Sequence, residues 1–200
     1  IVLQGFGSFP VIFKFLIERS RQLNDDIEWS IICTTGHYVE MFKQLLGEDA
    51  VLYLHQDVKN HLGKPVDLST YAGNIYQNIE AEKRVTKHRK SARQLQKATA
   101  MYAAMKAFLQ KRKPSHILFG QIEGLDGMTL ISLGKELGIP ALVPSHTRTL
   151  GNTFFSPDHL ETLPEGWEIT DEHRKLAREF LTNFRSGKNA AYSIPPALLE

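Results

Sequence analysis

The chain has 200 residues, a formal net charge of +2 and a single cysteine, Cys33. Its length suits one domain of roughly 150 to 200 residues, and a hydrophobic fraction of 42% is enough for a packed core. The small net charge argues against nucleic acid as a partner. One cysteine excludes an internal disulfide framework and fits a reducing compartment such as the cytoplasm. No apolar run approaches the roughly 20 residues that span a bilayer.

The first quarter of the chain alternates short apolar runs with segments of helical spacing. The predicted strands are residues 1–4, 29–33 and 50–54, and the predicted helices between them are residues 10–23 and 38–46. This β-α-β-α-β order is typical of one half of a doubly wound parallel sheet. The chain opens inside a predicted strand, without a methionine or a basic leader. We therefore expect it to be a piece of a longer protein or to have a trimmed start.

The middle of the chain interrupts this alternation. Glycine, proline and asparagine residues predict a long irregular insertion over residues 55–79. Residues 80–113 have helical spacing and predict one or two helices that end before Pro114.

A second strand-helix-strand unit follows. It consists of a strand at residues 116–119, a helix that Asp126 caps and Gly138 ends, and a strand that begins at Ala141. Residues 154–166 are predicted to be a loop, and residues 170–185 a helix capped by Thr170 or Asp171. Residues 1–185 thus form one Rossmann-like domain, and residues 186–200 a linker or terminal arm.

Right-handed crossovers predict the strand order 3-2-1-4-5. The order then reverses between the first and fourth strands, where the loops 5–10 and 120–127 are expected to lie side by side. Ligands of open parallel sheets bind outside the carboxyl ends of the strands, at such a switch point. The sequence therefore predicts the place of a site more firmly than its chemistry.

The glycine-containing loop after the first strand is a candidate for close approach of a ligand to the backbone. Gly5 and Gly7 form half of a dinucleotide fingerprint, with Ser8 beside them, but Pro10 occupies the place of the third glycine. The second strand also lacks a terminal acidic residue that would hold a ribose. We accordingly predict substrate contacts and no bound cofactor.

The loop after the fourth strand carries two carboxylates, Glu123 and Asp126. Either could act as a general acid or base, or bind a hydroxyl-rich substrate. The alternative is that Asp126 caps the helix and Glu123 is simply solvated. Gly120 and Gln121 are candidate substrate contacts in the same loop.

Further candidates follow the second and fifth strands. His37, after Gly36, could act as a base or as a hydrogen-bond donor to phosphate, or could merely begin a helix. His146 and Arg148 could bind an anionic sugar or phosphate, with Asn152 nearby. The other histidines lack metal-ligand spacing, so no metal site is predicted, and Cys33 is expected to be a core residue.

The basic run 83–97 leaves three interpretations open. It is a solvated helix face, a surface attracted to an anionic membrane or acceptor, or a nucleic-acid site. The last is least favoured because no aromatic residues are interleaved with the charges.

Two segments carry a resemblance to known enzymes. Residues 33–41, Cys-Thr-Thr-Gly-His-Tyr-Val-Glu-Met, resemble the Thr-Gly-x-His stretch of non-hydrolysing UDP-N-acetylglucosamine 2-epimerases, with His37 directly after the glycine. Residues 117–149 resemble the following strand, glycine loop, helix and histidine-containing strand end of that group. Residues 148–156 are similar to an Arg-x-x-Gly-x-x-Phe-Phe-Ser pattern expected in bacterial capsule and surface-polysaccharide glycosyltransferases.

The resemblance implies the amino-terminal, acceptor-side half of a GT-B fold. A nucleotide-sugar donor would be held mostly by a second domain, and a glycan or glycolipid would be the acceptor, in the cytoplasm or at the inner face of the membrane. A UDP-sugar epimerase relative is the alternative, but Gln121 replaces the acidic residue expected there and no Glu-Ala-Gly-Leu run follows His146. A non-catalytic docking module that uses residues 83–97 is the third hypothesis.

Overall fold

A computed structural model describes most of the chain. The described residues are 1–5, 9–23, 26–71, 73–83, 91–120, 122, 124–146, 153–158, 166 and 168–186.

The architecture is mixed α/β, built on a sheet of six strands in the described chain. The strands are β1 (Val2–Gly5), β2 (Ser30–Cys33), β3 (Val51–Tyr53), β4 (Ile117–Phe119), β5 (Ala141–His146) and β6 (Thr153–Ser156), in the order β3-β2-β1-β4-β5-β6. The first five strands are parallel, and β6 runs antiparallel to β5. The predicted order 3-2-1-4-5 is confirmed, and the fold is compatible with a Rossmann-like class.

Seven α-helices occur in the described residues. They are α1 (Phe9–Gln22), α2 (Val39–Leu46), α3 (Leu54–His61), α4 (Ile75–Lys83), α5 (Ser91–Arg112), α6 (Leu125–Leu137) and α7 (Asp171–Arg185). Short 3₁₀ turns at Gly36–Tyr38 and Glu48–Ala50 precede α2 and β3. None of these helices, within the described ranges, combines enough length and apolar character to cross a membrane.

Apolar clusters cover both faces of the sheet, as a parallel sheet requires. On one face, α1 and α2 contribute Phe13, Ile17 and Phe42. On the other, residues of α3 to α6 pack against Val2 and Ile32. Strands β1 to β4 are short and mostly apolar, and all four residues of β1 are buried.

Two loop predictions are wrong in part. Residues 55–61 of the predicted insertion 55–79 belong to α3, and residues 75–79 belong to α4, whereas residues 62–71, 73 and 74 are irregular as predicted. Leu54 and Val58 of α3 are buried four residues apart on the α5 side, so tertiary packing stabilises a helix whose other residues are polar. The predicted loop 154–166 begins instead inside β6, which pairs with β5 through backbone hydrogen bonds.

The helix ends agree with the sequence in two places and differ in one. Gly138 ends α6 in the left-handed conformation at φ 66°, and the Thr170 hydroxyl accepts a hydrogen bond from the His173 amide at 3.2 Å at the start of α7. Asp126, however, is not the cap of α6. Gly124 holds that position, and Asp126 lies inside the first turn.

Several predictions fall outside the described residues. The central part of the basic run, residues 84–90, lies between α4 and α5 and is not described, and neither is most of the arm 186–200. For the segment 80–113 the sequence predicted one or two helices. The structure has two in this region, the end of α4 and α5.

Candidate functional site

The candidate site lies at the edge of the sheet where the five parallel strands end. Gly5, Cys33, Tyr53, Phe119 and His146 are the last residues of β1 to β5. Because parallel strands point the same way, these ends and the loops after them share one edge. It is the edge at which open parallel sheets bind ligands.

The switch point lies between β1 and β4, as predicted. The Gly120 amide donates to the Gln4 carbonyl at 3.2 Å, which joins the end of β4 to the end of β1. A Cβ atom on Gly120 would lie 2.8 Å from Phe9 Cβ and 3.0 Å from the Gln4 carbonyl oxygen. Glycine therefore allows the first turn of α1 to lie directly against this strand end, so that Phe9 and Gly120, described residues of the two loops, are neighbours.

A buried polar pair spans the switch point. Gln4 is completely buried in β1, and its Nε2 donates to Asp126 Oδ2 at 2.8 Å. Asp126 is 9% exposed and lies in the first turn of α6, where the positive end of the helix dipole stabilises a carboxylate. The side chain of Asp126 is thus oriented by the sheet.

Gln4 is a site residue that the sequence interpretation missed. Its signal was present, because Gln4 is the polar residue in the strand Val2-Leu3-Gln4-Gly5. A buried polar side chain requires a partner, and a glutamine at a strand end near a switch point suggests a positioning role.

The ends of β1 and β2 are tied together. The Thr34 hydroxyl donates to the Gly5 carbonyl at 2.9 Å, and the Thr34 amide approaches the same oxygen at 3.3 Å. These two bonds fix the Gly5 carbonyl at the end of β1.

His37 lies on the same edge, one strand away from the switch point. It is exposed, sits in the 3₁₀ turn after β2, and its ring lies 3.8 Å from that of Tyr38, centroid to centroid. Gly36, just before it, is exposed but contacts Tyr53, whose Oη would lie 2.8 Å from a Cβ atom at this position. The structure therefore places His37 at the site edge, with β1 between it and Asp126.

Not all predicted residues can be compared with the structure. Gly5, Gly36, His37, Gly120 and Asp126 lie on the expected edge. His146 ends β5 opposite Thr153 of β6, and only its backbone is described. The remaining candidates, Gly7, Ser8, Gln121, Glu123, Arg148 and Asn152, lie outside the described residues, so their roles stay predictions.

Cys33 is excluded as a nucleophile. It is 1% exposed at the end of β2, and burial raises the pKa of its thiol to about 12. The thiolate is the reactive form, so the interpretation of Cys33 as a core residue is confirmed. Within the described ranges, no three His, Cys, Asp or Glu side chains are grouped so that they could hold a metal ion.

Two open hollows lie at the opposite edge of the sheet, one where β2 and β3 begin and one where β1, β2 and β4 begin. Their volumes are about 420 and 340 Å³, and both are lined by Glu28 and Arg112. Arg112 donates to Ser30 Oγ at 2.9 Å and pairs with Glu28, while Arg21 donates to the Leu45 carbonyl at 2.8 Å. These cations are engaged in contacts that hold strands and helix ends together. We therefore assign the candidate site to the carboxyl edge.

Comparisons with known proteins do not identify the chain: no family, curated protein or solved structure matches it.

Proposed function

We propose that this chain is the amino-terminal, acceptor-side domain of a GT-B-type glycosyltransferase of bacterial surface or capsular polysaccharide synthesis. The observation that supports this proposal is the switch point, where Gly120 contacts Gln4 and where Gln4 orients Asp126. The resemblance of residues 33–41 and 117–156 to sugar-nucleotide enzymes suggests the substrate class. The substrates are a nucleotide sugar and a glycan or glycolipid, in the cytoplasm or at the inner face of the membrane.

The reaction needs few groups from this domain. An acceptor hydroxyl oxygen attacks the anomeric carbon, the bond from that carbon to the phosphate oxygen of the nucleotide breaks so that the nucleotide leaves, and the hydroxyl proton passes to a base. Asp126, Glu123 and His37 are the candidates for the base or for the contact that orients the acceptor. His146 and Arg148 would contact the anionic groups of the substrates.

Asp126 is the candidate with the best-defined surroundings. The residue is 9% exposed, and its carboxylate accepts a hydrogen bond from the buried Gln4. A group held in this way keeps one orientation, which general-base catalysis and acceptor positioning both require.

The proposal predicts acceptor-dependent release of nucleotide. The protein expressed from its complete reading frame would be supplied with UDP-, GDP- and CMP-sugars, with and without a polysaccharide acceptor. We expect release from one donor class only when acceptor is present. Asp126→Asn should lower kcat by about 10²- to 10⁴-fold, the usual contribution of a positioned acid or base.

A matched variant at the opposite edge serves as the control. Asp49 is an exposed carboxylate paired with Lys111 at 2.6 Å, and Asp49→Asn should leave the rate unchanged. No release from any donor would reject the proposal, and full activity of Asp126→Asn would reject the role of Asp126. Sugar interconversion without acceptor would favour the epimerase alternative, which the Thr34-Thr35-Gly36-His37 segment supports.

A further inference from the structure

Four ring side chains gather where β2 and β3 end. Tyr53 ends β3, and its ring meets that of His55 edge-on, with centroids 6.1 Å apart and an interplanar angle of 87°. His37 and Tyr38 follow β2 with ring centroids 3.8 Å apart. We call these four residues the ring cluster.

Gly36 joins the two pairs. A Cβ atom on Gly36 would lie 2.8 Å from Tyr53 Oη and 3.3 Å from Tyr53 Cζ. The phenol end of Tyr53 therefore rests on the backbone immediately before His37. A larger residue at position 36 would displace the Tyr53 ring.

The rings of this cluster are anchored yet reach the solvent. Tyr38 and Tyr53 are half-buried, whereas His37 and His55 are exposed. Core packing accounts for the buried neighbours Cys33, Leu52 and Leu54 and for the contact of Tyr38 with the core. It does not account for the two exposed imidazoles beside Tyr38 and Tyr53.

The position of the cluster relates it to the candidate site. Tyr53 and Gly5 lie at the same carboxyl edge, two strands apart, which corresponds to about 10 Å at the usual strand spacing. A single sugar at the switch point would not reach Tyr53, but the next units of an oligosaccharide would.

The chemistry of the cluster suits an uncharged saccharide. Phenol and imidazole rings offer flat apolar faces for the C–H side of a sugar ring, and their polar atoms donate to and accept from sugar hydroxyls. None of the four side chains is a lysine or arginine, the residues that typically bind phosphate.

We infer that the ring cluster is an outer saccharide subsite that binds a sugar unit of the acceptor beyond the one that reacts. This inference rests on the proposed function, because it concerns the acceptor that binds at that same edge. With His37 in the outer subsite, Asp126 and Glu123 remain the candidates for the base. It predicts that a longer acceptor binds more tightly than a monosaccharide and that the added affinity depends on the Tyr53 ring.

Binding would be measured by NMR on isotopically labelled chain. The probes are uncharged trisaccharides of hexoses and N-acetylhexosamines, each compared with its monosaccharides. We expect at least one trisaccharide to shift the ring signals of His37 and His55. Tyr53→Ala should weaken its binding about tenfold, as expected for the loss of one ring contact, whereas Tyr53→Phe should stay within about threefold because it keeps the ring.

Two further variants keep the test decisive. His55 is exposed, so His55→Ala should fold even if Tyr53→Ala does not, and it should also weaken trisaccharide binding. Tyr76 is 66% exposed on α4, and Tyr76→Ala should leave binding unchanged. Absence of binding by every trisaccharide, or equal affinity of Tyr53→Ala, His55→Ala and the parent chain, would overturn the subsite.

The saccharide subsite and the transferase activity can fail independently of each other. If Asp126→Asn abolishes nucleotide release while Tyr53→Ala and His55→Ala leave the acceptor KM unchanged, the subsite fails and the transferase stands. If no donor is turned over but a trisaccharide binds the ring cluster, the transferase fails and a saccharide site remains.

Discussion

Gly120 allows the close contact between the ends of β1 and β4. Its missing side chain leaves room for Phe9 on one side and the Gln4 carbonyl on the other. The amide of Gly120 donates to that carbonyl at 3.2 Å. The position therefore combines a hydrogen bond with a steric requirement.

Gly120→Ala should destabilise the fold by about 1–3 kcal/mol, the usual cost of overpacking. The new Cβ would lie 2.6 Å from Phe9 Cγ and 3.0 Å from a backbone oxygen. Urea unfolding would measure this change. Gly73→Ala is the comparison and should cost less, because its nearest atom is Ser132 Oγ at 2.8 Å, which could rotate away at the loss of one hydrogen bond to the Met128 carbonyl.

Phe9→Ala combined with Gly120→Ala offers a further check. If Phe9 carries part of the clash, the double variant should be more stable than the sum of the two single effects predicts. Strict additivity, or an unaltered unfolding midpoint for Gly120→Ala, would contradict this account of the loop contact.

Cys33 should be unreactive in the folded chain. Burial raises the pKa of its thiol to about 12 from 9.0, so a disulfide reagent at pH 8 should label it only after unfolding in urea. Between pH 9 and 12 the unfolded chain releases a proton that the folded chain keeps, so this group lowers stability as pH rises. Rapid labelling of the folded chain would be inconsistent with a buried thiol.

For single residues, the sequence predicts local backbone conformation better than it predicts hydrogen-bond partners. The left-handed conformation of Gly138 follows from local backbone preferences, and the prediction holds. The contact between Gln4 and Asp126 joins residues 122 positions apart, and no local pattern encodes it. The capping interpretation of Asp126 failed because a tertiary hydrogen bond defines its role.

Helices α5 and α6 share a cluster of polar side chains, and this cluster also binds Thr70 of the irregular segment 62–71. Lys106 Nζ lies 2.6 Å from Glu136 Oε1, and Tyr102 Oη donates to Glu136 Oε2 at 2.8 Å. The Thr70 hydroxyl donates to Glu136 Oε1 at 2.7 Å. Glu136 thus anchors the irregular segment to two helices.

Glu136→Gln should destabilise the chain by about 1–3 kcal/mol at pH 7, because hydrogen bonds to a charged group are lost. Burial alone would raise the pKa of Glu136, but hydrogen bonds from Lys106, Thr70 and Tyr102 outweigh it and hold the pKa below 4.5. The stabilisation is therefore present above the unfolded pKa and is lost as pH falls through the folded one.

Unfolding in urea at pH 7 and at successively lower pH would follow this effect. The difference between Glu136→Gln and the parent chain should narrow in acid. Glu48→Gln is the control, because Glu48 pairs with Lys43 while its side chain is 76% exposed, and exposed pairs contribute little. A constant difference at all pH values would show that the Glu136 charge is not the cause.

Helices and strands were predicted correctly where their own apolar pattern defines them. They were missed where contacts with residues distant in the sequence stabilise them. The limits of α1 and β2 follow from short-range spacing and shift by only a residue or so. Helix α3 has only Leu54 and Val58 as buried residues, which is too weak a pattern to indicate a helix. Strand β6 exists through its pairing with β5, and its own four residues do not reveal that partner.

At the scale of the whole molecule, the handedness of the crossover connections predicts the order of the strands in the sheet. Alternating strands and helices, with right-handed connections, restrict the order of the first five strands to the one observed. The same rule brings the ends of β1 and β4 together. The place of the candidate site was therefore predictable, whereas its substrates depend on side chains whose chemistry the fold does not specify.

The two edges of the sheet differ in the way their polar groups are used. The amino edge holds Arg112 and Arg21 in contacts with Ser30 and the Leu45 carbonyl. The carboxyl edge combines the buried Gln4–Asp126 pair with the exposed rings of His37 and His55. We accordingly expect ligands at the carboxyl edge, although the hollows lie at the other.

Mapping of a bound acceptor on the chain tests this assignment most directly. Amide NMR signals of ¹⁵N-labelled protein would be followed while the trisaccharide panel is titrated. We expect the amide signals of Gly5, Thr34, Gly120 and Asp126 to shift, and those of Trp29, Ala50 and Arg112 to stay unchanged. Shifts confined to the second group would place the ligand in the hollows at the amino edge and would contradict a saccharide site at the switch point.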